Sequence, residues 1–184
     1  MVGEADPSLV KPRVVFDCMV FLQGAGRPAS PSRACFHLVD EGQIDICLSS
    51  DILAEVRDVL TRPRTRKRFP LLSAEWVETF VQNAEHKAVV VLTEVASAFS
   101  LERDPKDEPY LDLAVAAGAR YLVSRDRDLL DLMDDPQFRQ RFPDLIIVDP
   151  PAFLQAIRSP RPIEQSSEPW SATEAGGSAP GVDV

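Results

Sequence analysis

The chain has 184 residues, 45% of them hydrophobic and 27% charged, with a formal net charge of −9, which suits one soluble domain carrying at most an appendage. Area scaling at this length leaves roughly 8,800 Å² folded against about 29,000 Å² unfolded, so a core can form without disulfides or a structural metal. No run approaches the ~20 apolar residues that span a bilayer, the first residues lack the basic and apolar regions of a secretory signal, and the odd set Cys18, Cys35 and Cys47 suits a reducing, cytoplasmic setting.

Residues 1–12 read as a flexible N-terminus and residues 13–157 as the folded domain. Arg13-Val-Val-Phe16 is a β-branched run that stops at Asp17. Pro31 to Glu41 carries Ala34, Cys35, Leu38 and Val39 at helical spacing, with Gly42 behind it. Ile44 to Leu48 predicts a strand, and Ser49 or Ser50 then caps a helix bearing Ile52, Leu53, Val56, Val59 and Leu60. Ser73 opens a helix with the stripe Trp76, Val77, Phe80 and Val81. Ala88 to Leu92 is a continuous apolar run, the pattern of a buried strand.

Asp107-Glu-Pro109 predicts a helix start and Gly118 its end. Tyr121-Leu-Val123 is a strand running into Ser124-Arg-Asp126, and Leu145 to Val148 is a last strand. Asp149-Pro-Pro then caps a helix through Ile157. From Arg158 onward the chain is rich in Pro, Ser and Gly and reads as a disordered tail, with Trp170 its one large aromatic. Strands separated by helices predict an α/β fold with a central parallel sheet flanked by helices.

The acids fall in a pattern. Ligands of an open parallel sheet bind beyond the carboxyl ends of its strands. Asp17 directly follows the first strand, Asp126 lies three residues past Val123, Asp107 stands at a helix start, and Glu55 lies in an early turn of the helix after Leu48. Two carboxylates 4 Å apart repel by roughly 4 kcal/mol at an effective dielectric of 20, so such a meeting calls for a cation. Oxygen ligands suit Mg²⁺ or Mn²⁺, and with only His37 and His86 a histidine-built site is excluded. The chemistry this predicts is metal-assisted phosphodiester hydrolysis. Taken one at a time the acids have plainer readings: Asp107 an N-cap, Glu55 a solvated helix residue, Asp126 part of a turn.

Arg62-Pro-Arg64-Thr-Arg66-Lys67-Arg68 places five cations in seven residues and reads equally as a phosphate-tracking element or a solubilising loop. Arg125 and Arg127 flank Asp126. The acidic total does not exclude a polyanionic partner. Net charge is −1 over residues 1–11 and −2 over 158–184, so the middle carries −6, of which a cation site would absorb four acids.

At these residues the sequence resembles the PIN-domain family. The matching pieces are Val14-Val-Phe-Asp17, Ser49-Ser-Asp-Ile-Leu-Ala-Glu55-Val and Arg103-Asp-Pro-Lys-Asp107-Glu-Pro-Tyr-Leu, then Ala114-Val-Ala-Ala-Gly-Ala and Tyr121-Leu-Val-Ser-Arg-Asp126-Arg-Asp-Leu-Leu. The resemblance covers residues 13 to 157 and implies a three-layer PIN-like fold and a metal-dependent ribonuclease, in many members the toxin of a toxin–antitoxin pair. It implies Asp17, Glu55, Asp107 and Asp126 as catalytic, metal-binding acids for Mg²⁺ or Mn²⁺, with Asp104 and Asp128 as second candidates and Ser124 as a hydroxyl lining the site. Arg62, Arg64, Arg66, Lys67, Arg68 and Arg125 are the expected RNA-binding residues.

The partners implied are RNA, an antitoxin protein and a second copy of the chain, and the products are 5′-phosphate and 3′-hydroxyl ends. Housekeeping RNA processing fits the same residues. Met19 stands where the family's first motif usually carries Asn or Ser, and methionine donates no hydrogen bond. A catalytically weak module that binds RNA or protein is therefore a further reading. A phosphoacceptor receiver domain is disfavoured, because paired early acids and a late lysine after a strand are not evident.

Overall fold

The structure is a computed structural model that describes residues 11–92 and 107–158; the expected tail and most of the N-terminal segment lie outside them. Its frame is a five-stranded sheet in the order β3-β2-β1-β4-β5, built from β1 (Arg13–Phe16), β2 (Asp45–Ser49), β3 (Val90–Leu92), β4 (Tyr121–Val123) and β5 (Ile146–Val148). All neighbours pair in parallel: Val14 lies opposite Ile46 on one side and Tyr121 on the other, and Tyr121 lies opposite Ile146. Parallel pairing puts every strand's carboxyl end on one edge. Because β1 is central, and the chain winds outward first through β2 and β3 and then through β4 and β5, the winding reverses between β1 and β4. In an open parallel sheet such a reversal is where a ligand crevice is expected, beyond the ends of those two strands.

The strands hold because both sheet faces are covered. Val14, Val15 and Phe16 are fully buried, as are Ile46, Cys47 and Leu48, which is why these runs are apolar rather than alternating. On one side Phe16 meets Phe36 with ring centroids 5.1 Å apart, and Phe153 at 6.2 Å. Phe36 also meets Phe21 at 5.0 Å and Phe80 at 4.7 Å. These rings join α1 (Cys18–Gly26), α2 (Pro31–Asp40), α5 (Ala74–Lys87) and α9 (Pro150–Arg158) over the central strand. The right-handed crossover rule sends α6 (Glu108–Ala116), which joins β3 to β4, to the other face.

Several predicted starts and stops are made by the residues named for them. Ser49 Oγ accepts from Ile52 N at 3.2 Å, opening α3 (Ser50–Thr61). Ser73 Oγ accepts from Trp76 N at 3.1 Å, and Asp149 Oδ1 from Ala152 N at 2.8 Å. At the end of α6, Gly118 sits at φ 60° while its N–H reaches Val115 O at 3.1 Å and Ala119 N reaches Ala114 O at 2.8 Å. This paired closure needs the left-handed residue that glycine supplies.

The structure also adds elements that periodicity did not reveal. Residues 18–26 form α1, whose N-cap is Asp17 itself. The basic run is no loop: residues Pro63–Arg68 form a short helix, α4, with no buried residue. Beyond Asp126 come α7 (Arg127–Asp131), a 3-10 turn (Leu132–Asp134) and α8 (Pro136–Arg141). No helix among the described residues is long and apolar enough to cross a membrane.

One close approach governs how α1 seats. A Cβ on Gly24 would lie 2.6 Å from the Phe36 ring, and that ring is wedged among other aromatics and cannot swing away. Gly24→Ala is therefore expected to destabilise the protein by about 1–3 kcal/mol through overpacking, read as a lower urea midpoint at constant slope. An unchanged midpoint would show that α1 has more room than this packing allows.

Candidate active site

Asp17 is the first residue after β1, and its surroundings explain why an acid stands there. It is only 4% exposed. Its Oδ1 accepts the Val20 N–H at 2.7 Å, capping α1. Its Oδ2 accepts the Arg125 N–H at 3.0 Å and a short hydrogen bond from the Ser124 hydroxyl. Its own N–H donates to Val123 O at 3.1 Å. One carboxylate thus ties the end of β1 to the end of β4, across the crevice where the winding reverses.

Ser124 is fully buried and works in both directions: it donates to Asp17 and accepts the Asp126 N–H at 2.9 Å. Asp126 in turn caps α7 by accepting the Asp128 N–H at 2.8 Å. Asp17 and Asp126 are close enough to repel. Burial pushes the Asp17 carboxyl above the ordinary carboxylate range; the hydrogen bonds from Ser124, Val20 and Arg125 oppose this, and the Asp126 charge adds to it.

Glu55 lies on α3 and is half-buried; the plain reading of it as a solvated helix residue does not hold, because the Tyr110 hydroxyl on α6 donates to Glu55 Oε2 at 2.7 Å. Tyr110 is 2% exposed and was not singled out in the sequence as a site residue. Cys18 lies within reach of the charges of both Glu55 and Asp17. Its thiol is pushed up to about 12 by burial and by the charges of Glu55 and Asp17, while a hydrogen bond with Tyr110 and the Arg62 charge pull the other way. It stays protonated at neutral pH, which argues against thiolate chemistry here. The same set of interactions places Asp17, Glu55, Cys18 and Tyr110 in one electrostatic neighbourhood.

Asp107 precedes α6, one turn before Tyr110, whose N–H reaches Asp107 O at 3.2 Å. The plainer reading of Asp107 as a helix cap fails: its backbone is helical and its side chain makes no capping hydrogen bond. Asp104 lies outside the described residues. Asp128 is exposed on α7. Asp112 is a further acid, 7% exposed on α6, that the sequence reading passed over because Leu111, Leu113 and Ala114 surround it. The structure therefore joins Asp17 with Asp126 through Ser124, and Glu55 with Tyr110 beside Cys18. It does not gather all the expected acids: among the described residues no three His, Cys, Asp or Glu side chains are placed to hold one ion as they stand.

The donor chemistry nevertheless fits a hard cation. The groups beyond these strand ends are carboxylates with a serine and a tyrosine hydroxyl, and the buried Asp17 lies within reach of the Asp126 charge, a repulsion that positive charge would relieve. Of the expected RNA-binding cations, Arg62 pairs with Asp58, Arg66 donates to Leu72 O at 3.0 Å, and Arg68 lies over the Phe69 ring at 5.8 Å. Arg64 and Lys67 are exposed on α4. Arg125 donates to Gln23 Oε1 at 3.0 Å.

Comparison with known families matches residues 13–128 to the PIN domain, and the chain belongs to that family. PIN domains are generally nucleases, hydrolases acting on nucleic acid, and typically use divalent metals. No curated protein and no solved structure matches the chain.

Because the Asp17 pKa is raised in the folded state, folded protein binds more protons than unfolded protein above the ordinary aspartate value. The contribution of Asp17 to stability is therefore fully present at low pH and declines as pH rises toward the elevated value. Carboxyl NMR titration is expected to place Asp17 above the ordinary range, and higher still in Ser124→Ala, which removes a bond favouring the ionised form. An Asp17 that titrates at or below the usual aspartate range would contradict this environment.

Proposed function

We propose that the protein is a metal-dependent endoribonuclease whose centre comprises Asp17, Glu55, Asp107 and Asp126. The observation that carries the reading is the buried Asp17 carboxylate at the reversal of the sheet, linked through Ser124 to Asp126 inside a PIN domain. The acids would hold Mg²⁺ or Mn²⁺, which when bound neutralises phosphate charge and acidifies water.

The chain's own residues do the rest. Ser124 and the Arg125 N–H orient the Asp17 carboxylate from the end of β4, the kind of support that positions a metal ligand. Tyr110 fixes Glu55 from the opposite element. Cys18, protonated, adds no further charge beside Glu55 and Asp17. Arg64 and Lys67 on α4, with Arg125 beside the acids, supply the positive charge an RNA backbone requires.

A toxin role, restrained by an antitoxin covering the crevice, is the biological setting that the resemblance favours; Met19 beside Asp17, exposed and without a donor, favours modest rather than high turnover.

Purified protein is expected to cleave single-stranded RNA with Mn²⁺ and to leave 5′-phosphate ends. Asp17→Asn should abolish cleavage, and Ser124→Ala should lower kcat by about 10–100-fold, the effect of losing the group that orients a ligand. Cleavage that survives both Asp17→Asn and Asp107→Asn would place the activity in another site or another protein. Growth arrest on induced expression, relieved by Asp17→Asn, is the outcome expected of a toxin.

A further inference from the structure

We propose that the outward side of α1 at Met19 and Gln23, continued by Arg27 just past the helix end, is the lane along which a single-stranded RNA reaches the acidic centre, with Met19 beneath a base and Arg27 and Arg125 against phosphates. This deepens the nuclease reading and rests on it.

Helix geometry sets the first part of the lane: Met19 and Gln23, four apart, share a side of α1, about 6 Å apart along its axis at 1.5 Å per residue. Arg27 follows as the C-cap of α1, in extended backbone, and its place is set by side-chain contact rather than by helical spacing. The opposite side of α1 is spent on the core, where Val20, Phe21, Leu22, Gly24, Ala25 and Gly26 are buried. What remains outside carries no acidic residue anywhere along Cys18–Gly26. In a chain with net charge −9, such a lane is what a polyanion needs to approach carboxylates.

Contacts fix both ends of the lane. At the acid end, Arg125 serves two masters: its N–H donates to Asp17, while its guanidinium turns onto Gln23 Oε1 at 3.0 Å. The stripe is thereby continuous with the site. At the far end, the guanidinium of Arg27 lies over the Phe69 ring at 5.4 Å and that of Arg68 over the same ring at 5.8 Å. Cation–π contact leaves the edge N–H groups of an arginine pointing outward, in a fork suited to phosphate oxygens. Phe69 is itself seated against α1, since a Cβ on Gly26 would come within 2.7 Å of its ring. The Trp76 indole N–H, bound to Ala25 O at 3.0 Å, pins the same turn to α5. Little ordering is left for RNA to impose.

Met19 decides which kind of strand fits. It is 44% exposed, with Leu71 and Val89 the other exposed large hydrophobic residues among those described. It lies two residues from Asp17. A flexible, polarisable thioether beside the scissile position suits the face of an unstacked base. A duplex would keep its bases out of reach and offer α1 only phosphates.

The test measures binding of a short fluorescent single-stranded RNA to the full chain in EDTA, so that the strand stays intact, over a series of salt concentrations. Arg27→Ala and Arg125→Ala are each expected to weaken binding about five- to tenfold and to reduce the slope of log Kd against log salt by roughly 0.7. Met19→Ala should weaken binding without changing that slope and Met19→Leu should restore most of that loss, whereas Arg27→Lys, which keeps the charge but not the stacked fork, should keep the slope while recovering only part of the affinity. Arg139→Ala, an exposed arginine on α8 outside the lane, should change neither quantity. Wild-type binding that Arg27→Ala and Arg125→Ala leave unaltered in Kd and slope, or that Arg139→Ala weakens equally, would overturn the lane while leaving the nuclease reading intact. Wild-type protein that neither binds nor cleaves RNA would remove both.

Discussion

A carboxylate held almost out of water at the end of the central strand is the constraint on which this structure turns. Burial alone would drive Asp17 to protonate, and the neighbouring Asp126 pushes the same way. The fold answers with donors from two elements: the Val20 N–H opening α1, and the Ser124 hydroxyl and Arg125 N–H just past β4. Each donor has a second consequence. The first starts a helix, and the others fix the geometry of the loop that carries Asp126. The atoms proposed to do the chemistry therefore also hold the local structure together.

The remainder of the domain delivers those atoms to one place. Parallel pairing of β1 with β4, in the register Phe16 opposite Val123, sets Asp17 beside Ser124 without any direct sequence link. The phenylalanine cluster around Phe36 locks α1 onto the sheet, so the cap and the exposed stripe of α1 keep fixed positions relative to the acids. On the other side, Tyr110 carries the position of α6 to Glu55 on α3. The result is a set of oxygen donors in one electrostatic neighbourhood, Asp17 within reach of the Asp126 charge and linked to it through Ser124, with Glu55 held by Tyr110, though not yet gathered around one point. A cation drawing these groups together would supply the positive charge that the protein withholds.

Much of this was legible in the residues. β1 and β4 follow from short β-branched or aromatic runs that end at polar groups, and Ser49, Ser73 and Asp149 announce their helices because a cap is a local hydrogen bond. α1 was not legible. Its sequence is apolar nearly all round and holds Gly24 and Gly26, so no helical stripe stands out and propensity argues against it; only tertiary burial makes it a helix. The residues of α4 read as a phosphate-tracking element or a solubilising loop, not as a helix, because six residues without an apolar face give no periodic signal. α7 and α8 have caps in Asp126 and Asp135, yet each is too short for a pattern to emerge.

Of the candidate site, the sequence offered acids in a certain order but nothing of their geometry. Nothing local connects Tyr110 with Glu55, 55 residues away, and no spacing reveals that Ser124 would mediate between two acids. Asp107 illustrates the opposite error, since its position before Glu108-Pro109 has every mark of a cap, yet its side chain does not cap. The measurement that bears most directly on the centre is calorimetric titration of the full chain with Mn²⁺, wild type beside Asp17→Asn. Saturable binding below millimolar metal, lost in the variant while its fold is retained, is the expected result. Absence of binding by wild-type protein at millimolar Mn²⁺ would contradict a cation-dependent role for these carboxylates.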